Sequence, residues 1–98
     1  MIPNEFALTL NPPSQFNPVA TVKYDLPVGI RMTLRVYDAL GRQVTTLVDG
    51  VVNAGSHEAY LNSDGLSSGV YFFRMEAGTF IRTNKMLLLK QFSDRDHV

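Results

Sequence analysis

Few residues in this 98-residue chain are of types that do chemistry. His57 and His97 are its two histidines, and there is no cysteine. Structural zinc takes four ligands and catalytic zinc three clustered ones, so two isolated histidines do not make a metal site, and no cofactor is expected. His57 reads as a partly buried packing residue, and His97 as part of a polar tail. Asp25, Asp38, Asp49, Asp64 and Asp94 fall mostly at strand ends and turns, where Asp caps its own backbone. Asp64, beside Ser63 and Gly65, has the oxygen-rich setting of a calcium loop but not the spacing of an EF-hand. Gly65-Leu66-Ser67-Ser68-Gly69 matches the letters of a nucleophile elbow. That device needs a helix after the serine, and here the following residues read as a strand. With only two histidines to act as base, the match is coincidence and no enzyme is expected. No phosphate-binding glycine loop occurs. Tyr37, Tyr60 and Phe72 fall at outward parity, where aromatic rings can stack on sugars, cover a neighbouring domain or join the core.

Composition sets the frame for these residues. Hydrophobic residues make up 45% of the chain and charged ones 18%, which is globular. A chain of this length forms one domain with one modest core. Nine basic and nine acidic residues cancel, which argues against nucleic-acid binding and against attachment to an anionic membrane. No apolar run approaches the roughly 18 residues that would span a bilayer, so membrane insertion is not expected. Without cysteine there are no disulfides, and the core must hold the fold unaided. Met1-Ile2-Pro3-Asn4-Glu5 lacks the basic start and apolar core of a signal peptide. The chain is therefore read as intracellular or as a piece of a longer exported protein.

The elements that position these residues are all strands. Residues 6–10 alternate loosely. Three prolines in residues 11–18 remove amide donors and fix φ, which predicts an extended or turning loop with Phe16 as an anchor against the core edge. Residues 19–26 alternate again, with Val22, Tyr24 and Leu26 on one face. Residues 30–37 carry the cleanest period of two, with Ile30, Met32, Leu34 and Val36 inward. Asp38-Ala39-Leu40-Gly41 predicts a hairpin turn with a bulge, Gly41 taking the left-handed position. Residues 42–48 form the next strand, with breaks expected at Asp49-Gly50 and at Asn53-Ala54-Gly55. Residues 56–61 place His57, Ala59 and Leu61 on one face. The glycine- and serine-rich stretch 65–69 launches a strand through Met75 whose branched and aromatic residues suit a buried sheet. Residues 79–89 form the last strand. About seven strands at this spacing predict an all-β sandwich. The sandwich is expected to occupy residues 1–90, with 91–98 a disordered tail or non-native extension.

Taken in order, several short pieces of this sequence resemble one family. They are Phe16-Asn17-Pro18, Tyr24-Asp25-Leu26-Pro27, Val36-Tyr37-Asp38, Leu40-Gly41-Arg42-Gln43-Val44 and Leu47-Val48. They continue with Ala54-Gly55-Ser56-His57, Leu66-Ser67-Ser68-Gly69-Val70-Tyr71-Phe72 and Lys85-Met86-Leu87-Leu88-Leu89-Lys90. From about residue 6 to residue 90 the chain is similar to the type A C-terminal sorting domain of the type IX (Por) secretion system. The family's Pro-Asn-Pro-Phe element stands here as Pro13-Ser14-Gln15-Phe16, without its second proline. The resemblance implies an immunoglobulin-like antiparallel β-sandwich that acts as a secretion signal. It also implies a cargo domain N-terminal to it in the parent chain, passage through the periplasm of a Gram-negative bacterium, and delivery outside the cell or to its surface. The implied partners are an outer-membrane translocon and a cell-surface sortase, and Pro13, Phe16, Asn17, Pro18, Gly69, Tyr71 and Lys90 are the implied recognition residues. Flagellar hook-capping proteins carry a similar immunoglobulin-like domain, so fold alone leaves open a spacer or accessory module of an extracellular enzyme. A carbohydrate-binding module using Tyr37, Tyr60 or Phe72 is a third reading, and pairing of two copies through edge strands is also open.

Overall fold

The computed structural model describes residues 2–11, 15–16 and 19–90, and at 15–16 the backbone alone. The predicted tail 91–98 lies outside the described residues, and so does most of the proline loop. The strands are β1 (Ala7–Asn11), β2 (Gln15–Phe16), β3 (Val19–Leu26), β4 (Ile30–Tyr37), β5 (Gln43–Val52), β6 (Gly55–Asn62), β7 (Gly69–Ala77) and β8 (Phe80–Leu88). There is no helix among the described residues. The strands form two sheets, ordered β1-β3-β6 and β2-β8-β7-β4-β5. This is the order of an immunoglobulin-like sandwich, in which the first, second and fifth long strands oppose the third, sixth and seventh. Seven strands are five residues or longer, as expected, and β2 is a two-residue addition inside the predicted loop.

The inner faces follow the period of two. Val22 and Leu26 of β3, Leu34 and Val36 of β4, Phe73 and Met75 of β7 and Leu88 of β8 are essentially inaccessible. Each alternates with residues that are exposed or half-buried. β6 keeps the expected parity, with Leu61 buried and His57 and Ala59 half-buried. The His57 ring stacks on Tyr24 with centroids 5.4 Å apart, and its Nε2 lies 2.8 Å from the Asn53 carbonyl. Burial raises the Tyr24 phenol above its ordinary pKa.

The sandwich is antiparallel as expected, and the two-residue β2 is added to it in parallel, with Gln15 opposite Leu87 and Phe16 opposite Leu88. One expectation is corrected. Asp49-Gly50 does not end β5, which continues to Val52. Gly50 takes no positive φ and lies opposite Met32 within the ladder, while the Asp49 carboxylate accepts a hydrogen bond from Arg31 Nη2 at 2.7 Å. The irregularity of β5 sits elsewhere. Register shifts fall between Leu34 and Arg35 and between Val36 and Tyr37, leaving Leu47 and Val44 of β5 without a place in the register. A regular strand would send Leu47 and Val48 to opposite faces. The bulge lets both pack on the core, together with Val44.

The β4–β5 turn is held by a single carboxylate. Asp38 Oδ1 accepts the backbone N–H groups of Leu40 and Arg42, each at 2.9 Å, and Oδ2 accepts Arg42 Nε at 2.9 Å. Gly41, at φ +83°, closes the turn by donating to the Asp38 carbonyl at 3.0 Å. The Arg42 amide, then its guanidinium and the Leu40 amide, hold the Asp38 pKa below its ordinary value. A depressed carboxylate stabilises the fold at pH values above its unfolded pKa. That contribution is lost as pH falls through the ordinary carboxylate range toward the lower folded value. Acidification is therefore expected to lower the protection factors of the Leu40 and Arg42 amides, and Asp38→Ala to lower them already at neutral pH. NMR exchange rates, divided into the intrinsic rate at each pH, check this, and protection that does not depend on the Asp38 carboxylate would contradict it.

Candidate recognition site

One end of the five-stranded sheet gathers residues that are far apart in the chain. Leu88, the last residue of β8, lies between Phe16 of β2 on one side and Gly69 of β7 on the other. Two residues beyond Leu88, the Lys90 backbone N–H donates to Ser68 Oγ at 2.9 Å. Tyr71 stands two residues into β7, 6% exposed, and its hydroxyl donates to the Ser67 carbonyl at 2.6 Å. A tyrosine at the start of this strand, bonded back to the chain a few residues upstream, is the tyrosine corner of immunoglobulin-like sandwiches. The phenol ring fills the core while its hydroxyl fixes the loop that leads into the strand.

Gly69 serves the same loop through its backbone. Its φ is +155°, which side-chain-bearing residues rarely adopt, and a Cβ placed there meets no atom within 4 Å. The constraint on this position is therefore conformational and not one of space. Leu66 N–H donates to the Ser63 carbonyl at 3.0 Å, and Asp64 N–H to Asn62 Oδ1 at 2.9 Å, so the loop is built from successive short turns.

Beside this end lies a cleft of about 330 Å³. One wall is the β4–β5 turn, with Asp38, Leu40 and Arg42, and the other is residues 65–71. Leu40 is 77% exposed at its rim. The family resemblance does not assign the turn a role in recognition. The available signal was a leucine at the tip of a turn whose neighbours are polar or small.

Of the implied recognition residues, Phe16, Gly69, Tyr71 and Lys90 meet at this end. Nothing is described of the Phe16 side chain, so its anchoring role lies outside the described residues. Pro13, Asn17 and Pro18 also lie outside the described residues, as does His97. The aromatic trio does not form one platform. Tyr37 and Phe72 are directly paired on the outer face of the five-stranded sheet. Tyr60 is on β6 of the other sheet, 59% exposed, with its hydroxyl donating to Glu58 Oε1 at 2.6 Å. That bond, with the Glu58 charge, raises the Tyr60 pKa. Ser67 and Ser68 lead into a strand, and the imidazole of His57 is turned to Tyr24 and Asn53. No three His, Asp or Glu side chains converge among the described residues. Among those residues, too, no helix is long and apolar enough to cross a membrane.

Fold and site together define an immunoglobulin-like β-sandwich whose distinctive surface is a stapled sheet end. A family model for the secretion system C-terminal sorting domain matches residues 13–90, most of the chain. The chain belongs to this family, the C-terminal sorting domains of type IX secretion. No curated protein and no solved structure matches it. The family is not catalytic, and membership implies a cargo chain, interaction with the secretion system, and a secreted or cell-surface protein.

The corner separates two kinds of substitution. Tyr71→Phe keeps the ring and loses one hydrogen bond, at a cost of about 1 kcal/mol. Tyr71→Ala also empties the core position, at about 3–5 kcal/mol. Gly69→Ala is expected to cost about 1–3 kcal/mol from backbone strain alone. Urea unfolding measures all three, and a Tyr71→Ala variant as stable as Tyr71→Phe would contradict the burial argument.

Proposed function

We propose that the chain directs an exported cargo protein, attached N-terminal to it, through the type IX secretion system to the cell surface. It acts by protein–protein recognition of its folded surface and is not itself an enzyme. The partners are the outer-membrane translocon and a cell-surface sortase, reached through the periplasm of a Gram-negative bacterium. The sorting unit is residues 1–90. The family model begins at residue 13, yet β1 lies before that point and contributes the buried Leu8 and Leu10.

The observation that supports this reading best is the meeting of Phe16, Gly69, Tyr71 and Lys90 at one sheet end in a chain of this family. A signal made of such scattered residues is legible to a partner only when the domain is folded. A partner reading it has main-chain groups within reach as well as side chains. Among the described residues β2 covers β8 at Leu87 and Leu88 alone, so an extended segment can extend that edge by strand addition. β5 is less suited to strand addition or to edge-to-edge pairing of two copies, because its bulges interrupt the ladder.

A reporter fused upstream of residues 1–98, in a host with type IX machinery, is expected at the cell surface or in the medium. Gly69→Ala and Lys90→Ala are expected to lower that export while the purified domains remain folded by circular dichroism. Retention of the unmodified fusion in the periplasm would overturn the proposal.

A further inference from the structure

The outer face of the five-stranded sheet carries a feature that lies outside the candidate recognition site. Cross-strand register places Tyr37 of β4 opposite Phe72 of β7, and Phe72 opposite Lys85 of β8. The next outward row sets Arg35 opposite Arg74, and Arg74 opposite Thr83. Tyr37 and Phe72 are half-buried, so their rings are held by the sheet yet reachable from solvent. A shallow cleft of about 360 Å³ opens over Tyr37, Phe72, Arg74 and Thr83.

The charges on this face do not cancel as they do over the chain as a whole. Arg31 is paired with Asp49 at 2.7 Å, and Arg74 Nε with Glu76 Oε2 at 2.6 Å. That pairing raises the Arg74 pKa and lowers that of Glu76. Among the described residues Arg35 donates from Nη1 to Thr33 Oγ1 at 3.2 Å and acts on the Glu76 carboxylate through space without an ion-pair contact, and Lys85 has no carboxylate partner. Like charges directly opposite on neighbouring strands repel. One carboxylate, Glu76, faces both Arg74 and Arg35 and bonds only the first, so the Arg35 guanidinium keeps donors for a further carboxylate, beside a pair of aromatic rings.

We propose that this face, centred on Tyr37, Phe72 and Arg35, binds an acidic polysaccharide of the uronate type. The apolar face of a sugar ring lies on the aromatic pair, where its contact with water is reduced. Its carboxylate takes the Arg35 guanidinium, and Thr83 and Lys85 meet hydroxyls and a neighbouring acid group. A nucleic acid fits less well. A small excess of cations does not match a backbone that carries a phosphate at every nucleotide. Tyr60, on the opposite sheet, takes no part. The proposal is independent of the sorting reading, and either can fail alone.

Affinity electrophoresis of the 98-residue chain tests it, in native gels containing polygalacturonate, neutral dextran, dextran sulfate or no polymer. Retardation is expected in polygalacturonate and not in neutral dextran, and is expected to weaken as salt rises. Arg35→Gln, an outward-facing substitution, should weaken it by about tenfold, the loss of one charge-assisted hydrogen-bonded contact. Phe72→Ser should weaken it further, and Tyr60→Ala should leave it unchanged. No retardation by polygalacturonate would overturn the proposal, as would an Arg35→Gln chain that runs like the unmodified one. Equal retardation by dextran sulfate, which is charge without a uronate, or tighter binding to oligo-dT would also overturn it.

Discussion

The hydroxyl of Tyr71, donating to the Ser67 carbonyl at 2.6 Å, joins the core to the surface of this domain. The ring belongs to the hydrophobic interior, packed with residues such as Phe73 and Met86 that are essentially inaccessible. The hydroxyl belongs to the loop before β7. Ser68, the next residue, accepts the Lys90 amide, and Gly69 opens the ladder that carries Leu88. Core packing thus reaches the C-terminal end of the sandwich through one aromatic side chain. Without disulfides, that packing is the main source of rigidity at this end.

The arrangement bears on how a secretion signal can be both compact and specific. A linear peptide signal displays its residues in sequence order and must be ordered on binding, at an entropic cost. In the proposed signal the residues come from β2, β7 and the chain just after β8, and the fold has already ordered them. On that proposal recognition is coupled to folding, and an unfolded cargo tail would not display the surface. The outer face of the same sheet is separate from this end in its chemistry. Its charges lie in rows across β4, β7 and β8, and Arg35 has no part in the corner.

Much of the fold was legible because it depends on local rules. The alternation in β3 and β4, the Asp38–Gly41 turn and the inward parity of His57 and Leu61 all follow from period-two patterning and turn chemistry. The extent of β5 was not legible. Asp49-Gly50 has the composition of a break, but the Arg31 ion pair and the Met32 ladder keep the strand extended there. The bulges that turn Leu47 and Val48 toward one core depend on pairing with β4, which no local window contains. The same holds for the candidate site. Family resemblance pointed to Phe16, Gly69, Tyr71 and Lys90, but their meeting requires a parallel β2–β8 pairing and a Ser68–Lys90 bond, both non-local. The separation of Tyr60 from Tyr37 and Phe72 likewise follows from which sheet each strand joins.

The central claim is that Tyr71 holds the sheet end together as one surface. Native-state hydrogen exchange of the Gly69, Leu88 and Lys90 amides, compared between the unmodified chain and Tyr71→Phe, tests it most directly. The account predicts a protected Lys90 amide in the unmodified chain. It also predicts that protection at the sheet end falls in Tyr71→Phe by more than at Phe73 and Met75. A Lys90 amide that exchanges at the rate of an unstructured peptide, or one that Tyr71→Phe leaves untouched, would contradict it.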